Sequence, residues 1–302
     1  MTETTQTGGA APGAATVAHS VVRLPPGLYF VATPIGAARD ITLRGLDILA
    51  SAEVLAAEDT RTLRHLLDIH GVALSGRPLL AYHEHSGAAV RPRLLGALAE
   101  GKSVAYASEA GTPLVADPGF QLGRAAIEAG FSVFAAPGPS AVLAALTVSG
   151  LPSDRFLFAG FPPATRAARK TWLREMKTVQ ATLIFYESPK RVGQMLIDLA
   201  ETLGQERRAA VARELTKRFE EVRRGTLAEL AAGFAGQAVK GEIVVLVDRA
   251  ATIRAGAEEV EAALRERLVH LRVREAAAEV AEALGLPRRE VYQMALRLEG
   301  ER

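Results

Sequence analysis

The stretch ASEAGTPLVADPGF, residues 107–120, decides how the first half of this chain is read. It continues without a break from Val104-Ala105-Tyr106, an apolar run of strand length, and sets Glu109 and Asp117 among Gly111, Pro113, Pro118 and Gly119. A buried strand that empties into a polar, turn-rich loop predicts a strand end lining a pocket.

The same pattern recurs on both sides of it. Residues 28–33 end in Pro34-Ile35-Gly36, residues 54–57 in Glu58-Asp59-Thr60-Arg61, residues 78–82 in His83-Glu84-His85, and residues 131–136 in Pro137-Gly138-Pro139-Ser140. Between these runs the apolar spacing turns helical, over residues 40–50, from Arg61 to His70, and over residues 91–100, 120–129 and 141–149. Gly71, Gly101, Gly130 and Gly150 supply the C-terminal stops of the last four. Strands alternating with helices predict an α/β fold with a mostly parallel sheet. In such sheets ligands bind beyond the C-terminal ends of the strands, where all five polar loops fall.

The pattern changes near Leu151-Pro152. Residues 156–161, 182–186, 209–213, 219–224 and 243–247 read as strands, and residues 164–177, 189–203 and 226–234 as helices. The closer strand spacing predicts a second α/β domain with mixed or antiparallel pairing. The expected organisation is a disordered tail (1–26), an N-terminal α/β domain (27–150), a second α/β domain (151–248), a linker (249–257) and a helical piece (258–302). That last piece has a Gly285-Leu286-Pro287 turn before its final helix and reads as helix-turn-helix-like.

The composition excludes several classes. The chain has 302 residues and no cysteine, so disulfides, thiolate metal sites and cysteine nucleophiles are out. No apolar run is long enough to span a membrane. Net charge is only +2, yet basic residues cluster in residues 166–177, in residues 213–224 and in the final helices, which suits contact with phosphate. There is no G-x-G-x-x-G after the first strand, no Walker loop and no G-x-S-x-G, which disfavours dinucleotide chemistry and serine hydrolysis. His83 and His85 share a strand face, but no H-x-x-x-H or distant carboxylate pair joins them, and no metal site is assigned.

In order along the chain stand LYFVATPIGAARDITLRGLDIL, AEDTR, YHEHS, SEAGTPLVADPG, PGPSAVLAAL, LPSDRFLFAGF, TLIFYESPKR, ARELTKRFEEVRRGTLAEL and GEIVVLV. This ordered set resembles the tetrapyrrole methylase superfamily, in its branch that modifies small-subunit ribosomal RNA. The resemblance implies two α/β domains with a cofactor cleft between them, S-adenosylmethionine as methyl donor, and a homodimer. It implies as acceptor the 2′-hydroxyl of a cytidine in the decoding region of small-subunit (16S) ribosomal RNA, within the assembled small subunit in the cytoplasm. Carried over, the cofactor-lining positions are Pro34, Ala110, Gly111, Thr112, Ser140, Ala141 and Tyr186, with Glu187 beside them. Glu109 stands where the family usually has Asp. A ribose hydroxyl must lose a proton, so a base is needed. Glu58, Asp59, His83, Glu187 and Lys217 stand at strand ends, and the order of expectation is Glu187, then Asp59, then His83. Two alternatives stay open: a methyltransferase acting on a corrin precursor, and a DNA-binding regulator using the C-terminal helices.

Overall fold

The computed structural model describes residues 19–83, 86–250 and 257–300. The first part of the chain runs β1 (Gly27–Val31), α1 (Leu43–Ser51), β2 (Val54–Ala57), α2 (Thr60–Ile69), β3 (Leu79–Ala81), α3 (Gly87–Ala99), β4 (Ser103–Ala107), α4 (Phe120–Glu128), β5 (Val133–Ala136) and α5 (Ala141–Ser149). Its strands form one parallel sheet in the order β3-β2-β4-β1-β5. The three inner strands are buried along their whole length, as continuous apolar runs require when both faces are covered. On one face Leu46, Leu49 and Leu67 of α1 and α2 pack with Val31 and Leu55. On the other, Leu94 and Leu122 of α3 and α4 pack with Phe30 and Tyr106. The register aligns the strand ends: Val31 with Ala107 and Ala136, and Ala57 with Ala107 and Ala81. All five polar loops therefore leave the sheet at one level.

The chain continues as β6 (Phe156–Gly160), α6 (Arg166–Glu175), β7 (Thr182–Glu187), α7 (Val192–Leu203), β8 (Arg208–Arg213), β9 (Glu221–Thr226), α8 (Leu227–Phe234) and β10 (Ile243–Val247). The second sheet has the order β6-β7-β10-β8-β9 and is mixed, parallel between β6 and β7 and antiparallel elsewhere. One face is covered by α5, whose Val142, Ala145 and Leu146 pack with Ile184, Ala212 and Val244. Arg224 fastens this helix by donating to the Val148 and Ser149 carbonyls. So α5, which the sequence places with the first domain, closes the second sheet. The apolar residues of α5 lie all around the helix, and the strand pattern could not show which layer they meet.

Two other expectations change. The helix expected to start at Arg91 begins a turn earlier, at Gly87, with the Ala89 and Val90 N–H groups donating to the Ser86 carbonyl. The tail expected over residues 1–26 is described only from His19, and that part is held: the Ser20 N–H donates to Asp47 Oδ1 (2.6 Å) and the Val22 N–H to Ser51 Oγ (2.9 Å). Residues 1–18 and most of the expected linker, 251–256, lie outside the described residues.

In residues 166–177, Arg166, Arg169 and Lys170 are held in ion pairs, while Arg174 and Lys177 are exposed. Buried Arg169 pairs with buried Asp198 at 2.6 Å, Arg166 reaches Asp198 and Glu201 at 2.9 Å, and Lys170 reaches Glu201 at 2.8 Å. They clasp α6 to α7. In the second cluster Arg213 and Arg223 share Glu221, and Lys217 pairs with Glu214 and Glu242.

The C-terminal residues, with Thr178–Gln180, make a separate compact unit. Helices α9 (Ala257–Arg267), α10 (Val273–Ala283) and α11 (Arg288–Gly300) enclose a core of their own around Leu264, Leu268, Val280, Val291 and Leu298. Gly285, at φ +62°, turns the chain between α10 and α11.

Candidate active site

The loops at the strand ends enclose three adjoining cavities. The first, of about 340 Å³, is apolar for most of its wall, with Phe161, Tyr186, Ala212, Leu215 and Val244. Phe158 and Phe161 stand edge-on to Tyr186, with ring centroids 4.7 and 5.6 Å away, and fix its plane. The second, of about 470 Å³, shares Ile35, Ala110, Ala141, Phe161, Tyr186 and Glu242 with the first. Its wall also carries Glu58, Glu109 and Asp117. The third, of about 500 Å³, opens from the second past Glu58, Ala116 and Asp117 and is walled by Tyr82, His83, Arg91, Phe120 and Gln121.

All seven residues expected to line a cofactor, Pro34, Ala110, Gly111, Thr112, Ser140, Ala141 and Tyr186, line the second cavity. They come from the ends of β1, β4, β5 and β7, which sequence order alone does not bring together. The Gly111 N–H and carbonyl both pair with Thr33 at 3.0 Å, so this glycine, at φ +83°, shapes the loop and its own N–H is occupied. The Thr112 hydroxyl donates to the Pro139 carbonyl (2.9 Å), tying the loop after β4 to the loop after β5; only its lone pairs remain for a ligand. Gly138 does not face the cavity: a β-carbon there would lie 3.0 Å from Ala32 Cβ, so its smallness serves packing against the end of β1.

The three expected bases are placed differently from one another. Glu187 is buried on the wall of the first cavity. One of its carboxylate oxygens accepts from the Ser188 N–H (2.7 Å) and the other from Arg191 (3.0 Å). Each oxygen thus accepts one hydrogen bond, and the side chain braces the turn after β7. Asp59 caps α2, accepting from the Arg61 guanidinium and backbone N–H; that hydrogen bonding holds its carboxyl down at about 2, too weakly basic for proton abstraction. His83 lines the third cavity, and its Nδ1 accepts from the Ser86 N–H (3.3 Å). Glu84 and His85 lie outside the described residues.

The acids of the second cavity are the feature that sequence reasoning underweighted. Burial, followed by the Asp117 and Glu109 carboxylates, raises the Glu58 carboxyl above the ordinary range, against a hydrogen bond from the Glu109 backbone. Asp117 Oδ1 accepts from the Tyr106 hydroxyl and the Gly119 N–H, each at 2.7 Å, while its buried Oδ2 has no partner among the described residues. Burial and Asp117 push the Tyr106 phenol far up, so it remains a donor. Leu114 and Ala116, at φ +72° and +58°, hold the loop in a left-handed conformation that is costly for these residues. The available signal was Asp117 within the opening stretch, ten residues beyond the end of β4 at Ala107.

A cleft at aligned strand ends between a parallel and a mixed sheet defines a class, and the comparisons agree with it. The profile of the tetrapyrrole (corrin/porphyrin) methylases matches residues 27–231, and the chain belongs to that family. Solved structures with the same fold include uroporphyrin-III-C-methyltransferase from Thermus thermophilus (TM-score 0.53, 23% identity, 74% of this chain and 94% of that one) and the methyltransferase CobJ (0.56, 22%, 76% and 97%). In sequence the chain is similar to ribosomal RNA small subunit methyltransferase I of Mesorhizobium japonicum, 49% identical over 91% of this chain and 93% of that protein. It is 43% identical to the protein of that name from Pseudomonas aeruginosa, over 91% and 98%. Residues 254–299 match the RsmI C-terminal HTH domain.

Proposed function

We propose that this protein transfers a methyl group from S-adenosylmethionine to the 2′-hydroxyl of a cytidine in the decoding region of small-subunit ribosomal RNA. The observation that carries the reading is the join between an apolar, aromatic-walled cavity and one lined by four carboxylates, Glu58, Glu109, Asp117 and Glu242. That join suits a donor with a flat apolar ring at one end and positive charge at the other. The unpartnered Oδ2 of Asp117 is what a cationic ligand would satisfy. Tyr186, Phe161 and Ala141 would hold the ring, while Pro34, Ala110, Gly111, Thr112 and Ser140 would shape the polar end.

S-adenosylmethionine supplies a methyl group already activated on a sulfonium, so the chain has to align the acceptor, exclude water and accept a proton. Ribosomal RNA is favoured over a corrin precursor by the names of the sequence relatives, whereas the corrin and porphyrin enzymes share little more than the fold. A pure DNA-binding regulator would have no use for the cleft. On this reading the protein works in the cytoplasm, as a homodimer, on the assembled subunit. No helix among the described residues is long and apolar enough to cross a membrane.

Mass spectrometry of ribosomal RNA from a strain lacking this protein tests the reading. The expected result is loss of one ribose methyl at one cytidine of the small-subunit RNA, restored by the wild-type gene. An unchanged methylation pattern would overturn it.

A further inference from the structure

We infer that the third cavity, walled by Tyr82, His83, Arg91, Phe120 and Gln121, receives the acceptor nucleotide, and that Glu58, at its opening into the donor cavity, takes the proton of the hydroxyl being methylated. The inference rests on the functional reading above and adds to it the acceptor's place and the base.

The chemistry of the third wall is that of a nucleotide site. Phe120 is 56% exposed at the start of α4 and offers a ring face for a base to stack on. Gln121 beside it carries an amide with both donor and acceptor capacity for a base edge. Arg91 donates its Nε–H to the Tyr82 hydroxyl (3.2 Å), which fixes the guanidinium plane, and its two terminal nitrogens, with no hydrogen bond among the described residues, suit phosphate. The volume, about 500 Å³, falls among small-ligand sites.

Glu58 belongs to both the second and third cavities. A hydroxyl brought from one side and a methyl from the other would meet there. The hydroxyl oxygen forms the new bond to carbon, its proton passes to the Glu58 carboxylate, and the electron pair of the broken carbon–sulfur bond stays with sulfur. The groups bearing on Glu58 are Asp59 next to it, Glu109 after β4, Asp117 and Tyr106, with His83 and Arg91 across the third cavity. Burial first, and then the Asp117 and Glu109 carboxylates, keep its carboxyl more basic than an exposed glutamate, which suits proton abstraction. Among the acids at the strand ends, Glu187 lines the first cavity and not the third, and Asp59 is too acidic.

The test compares wild type, Glu58→Gln and Phe120→Ala on small subunits from a strain lacking the enzyme, with radiolabelled S-adenosylmethionine. Glu58→Gln is expected to bind S-adenosylmethionine with near wild-type affinity by calorimetry and to melt no lower than wild type, because a like charge has been removed. Its kcat should fall on the order of 100-fold or more, and the acidic limb of the pH–rate profile should vanish. Phe120→Ala should raise the KM for subunits on the order of tenfold, the weight of one stacked base, with a smaller effect on kcat. Wild-type turnover and pH profile in Glu58→Gln would overturn the proton role. So would a loss of donor affinity large enough to explain its rate. An unchanged KM in Phe120→Ala would remove the cavity. If wild type itself labels no subunit RNA, the functional reading falls first, which is a distinct result.

Discussion

Gly111 shows how one residue sets the site. Its φ of +83° is open to glycine and costly for a branched side chain, and a β-carbon would press on Ile35 Cγ2 at 3.2 Å. Ile35 lines both donor cavities, so the strain would be passed to the pocket wall. Gly111→Val is expected to cost about 1–3 kcal/mol, expressed as a loss of S-adenosylmethionine affinity of roughly tenfold or more, with cooperative unfolding retained. Titration calorimetry beside a thermal melt checks this; unchanged affinity would take the loop out of the site. The glycine was legible in the sequence as one of the expected cofactor-lining positions. Its pairing with Thr33 was not, because that bridge joins the ends of two different strands.

Between elements, the clasp of α6 on α7 is the most consequential contact outside the cleft. Burial by itself would raise the Asp198 carboxyl, but hydrogen bonds from Arg166, Arg169 and Gln194 outweigh it and hold the group below the usual range. Removing one partner of such a buried pair leaves a charge without its compensation. Arg169→Met is expected to destabilise the protein by about 3–5 kcal/mol in denaturant unfolding at neutral pH. The sign with pH follows from the depressed pKa. The unfolded state binds the proton more readily, so the stabilisation is present above the ordinary Asp range and lost as pH falls through the lowered value. The gap between wild type and variant should therefore narrow in acid, and a gap that is constant with pH would mean that the loss is one of packing alone. Sequence alone points to Arg166, Arg169 and Lys170 as phosphate ligands because a helix of basic residues looks the same whether it meets solvent or acids from the next helix.

For the whole molecule, those pairs change where phosphate contact is expected. In the body's basic clusters Arg166, Arg169, Lys170, Arg213, Lys217 and Arg223 are held in ion pairs, whereas Arg274, Arg288, Arg289 and Arg297 make no ion pair among the described residues. Arg288 and Arg289 open α11, the helix after the Gly285 turn, in a unit with its own core. We expect a chain lacking residues 258–302 to stay folded and bind S-adenosylmethionine. It should bind small subunits more weakly and with a shallower salt dependence, by about one unit of slope for each phosphate that is no longer neutralised. Affinity measured across a salt series decides it; an unfolded truncation, or one with the full chain's slope, would return the phosphate-binding role to the body.

What the sequence by itself determined is the local grammar. Apolar runs of strand length, helical spacing between them and glycine stops are set by neighbours a few residues apart, and they give the alternating elements and the polar loops at the strand ends. The ordered motifs added the family and the seven cavity-lining positions. Tertiary structure alone decided the strand order β3-β2-β4-β1-β5, the docking of α5 on the second sheet, and the meeting of Glu58 with Glu109 and Asp117. It also decided which charges are free. Arg169 and Asp198 are 29 positions apart, and nothing local to either one records the other. Burial, and then the Asp117 and Glu109 carboxylates that the fold brings to it, make Glu58 more basic, whereas Asp59, its immediate neighbour, is made more acidic by Arg61 only two positions on.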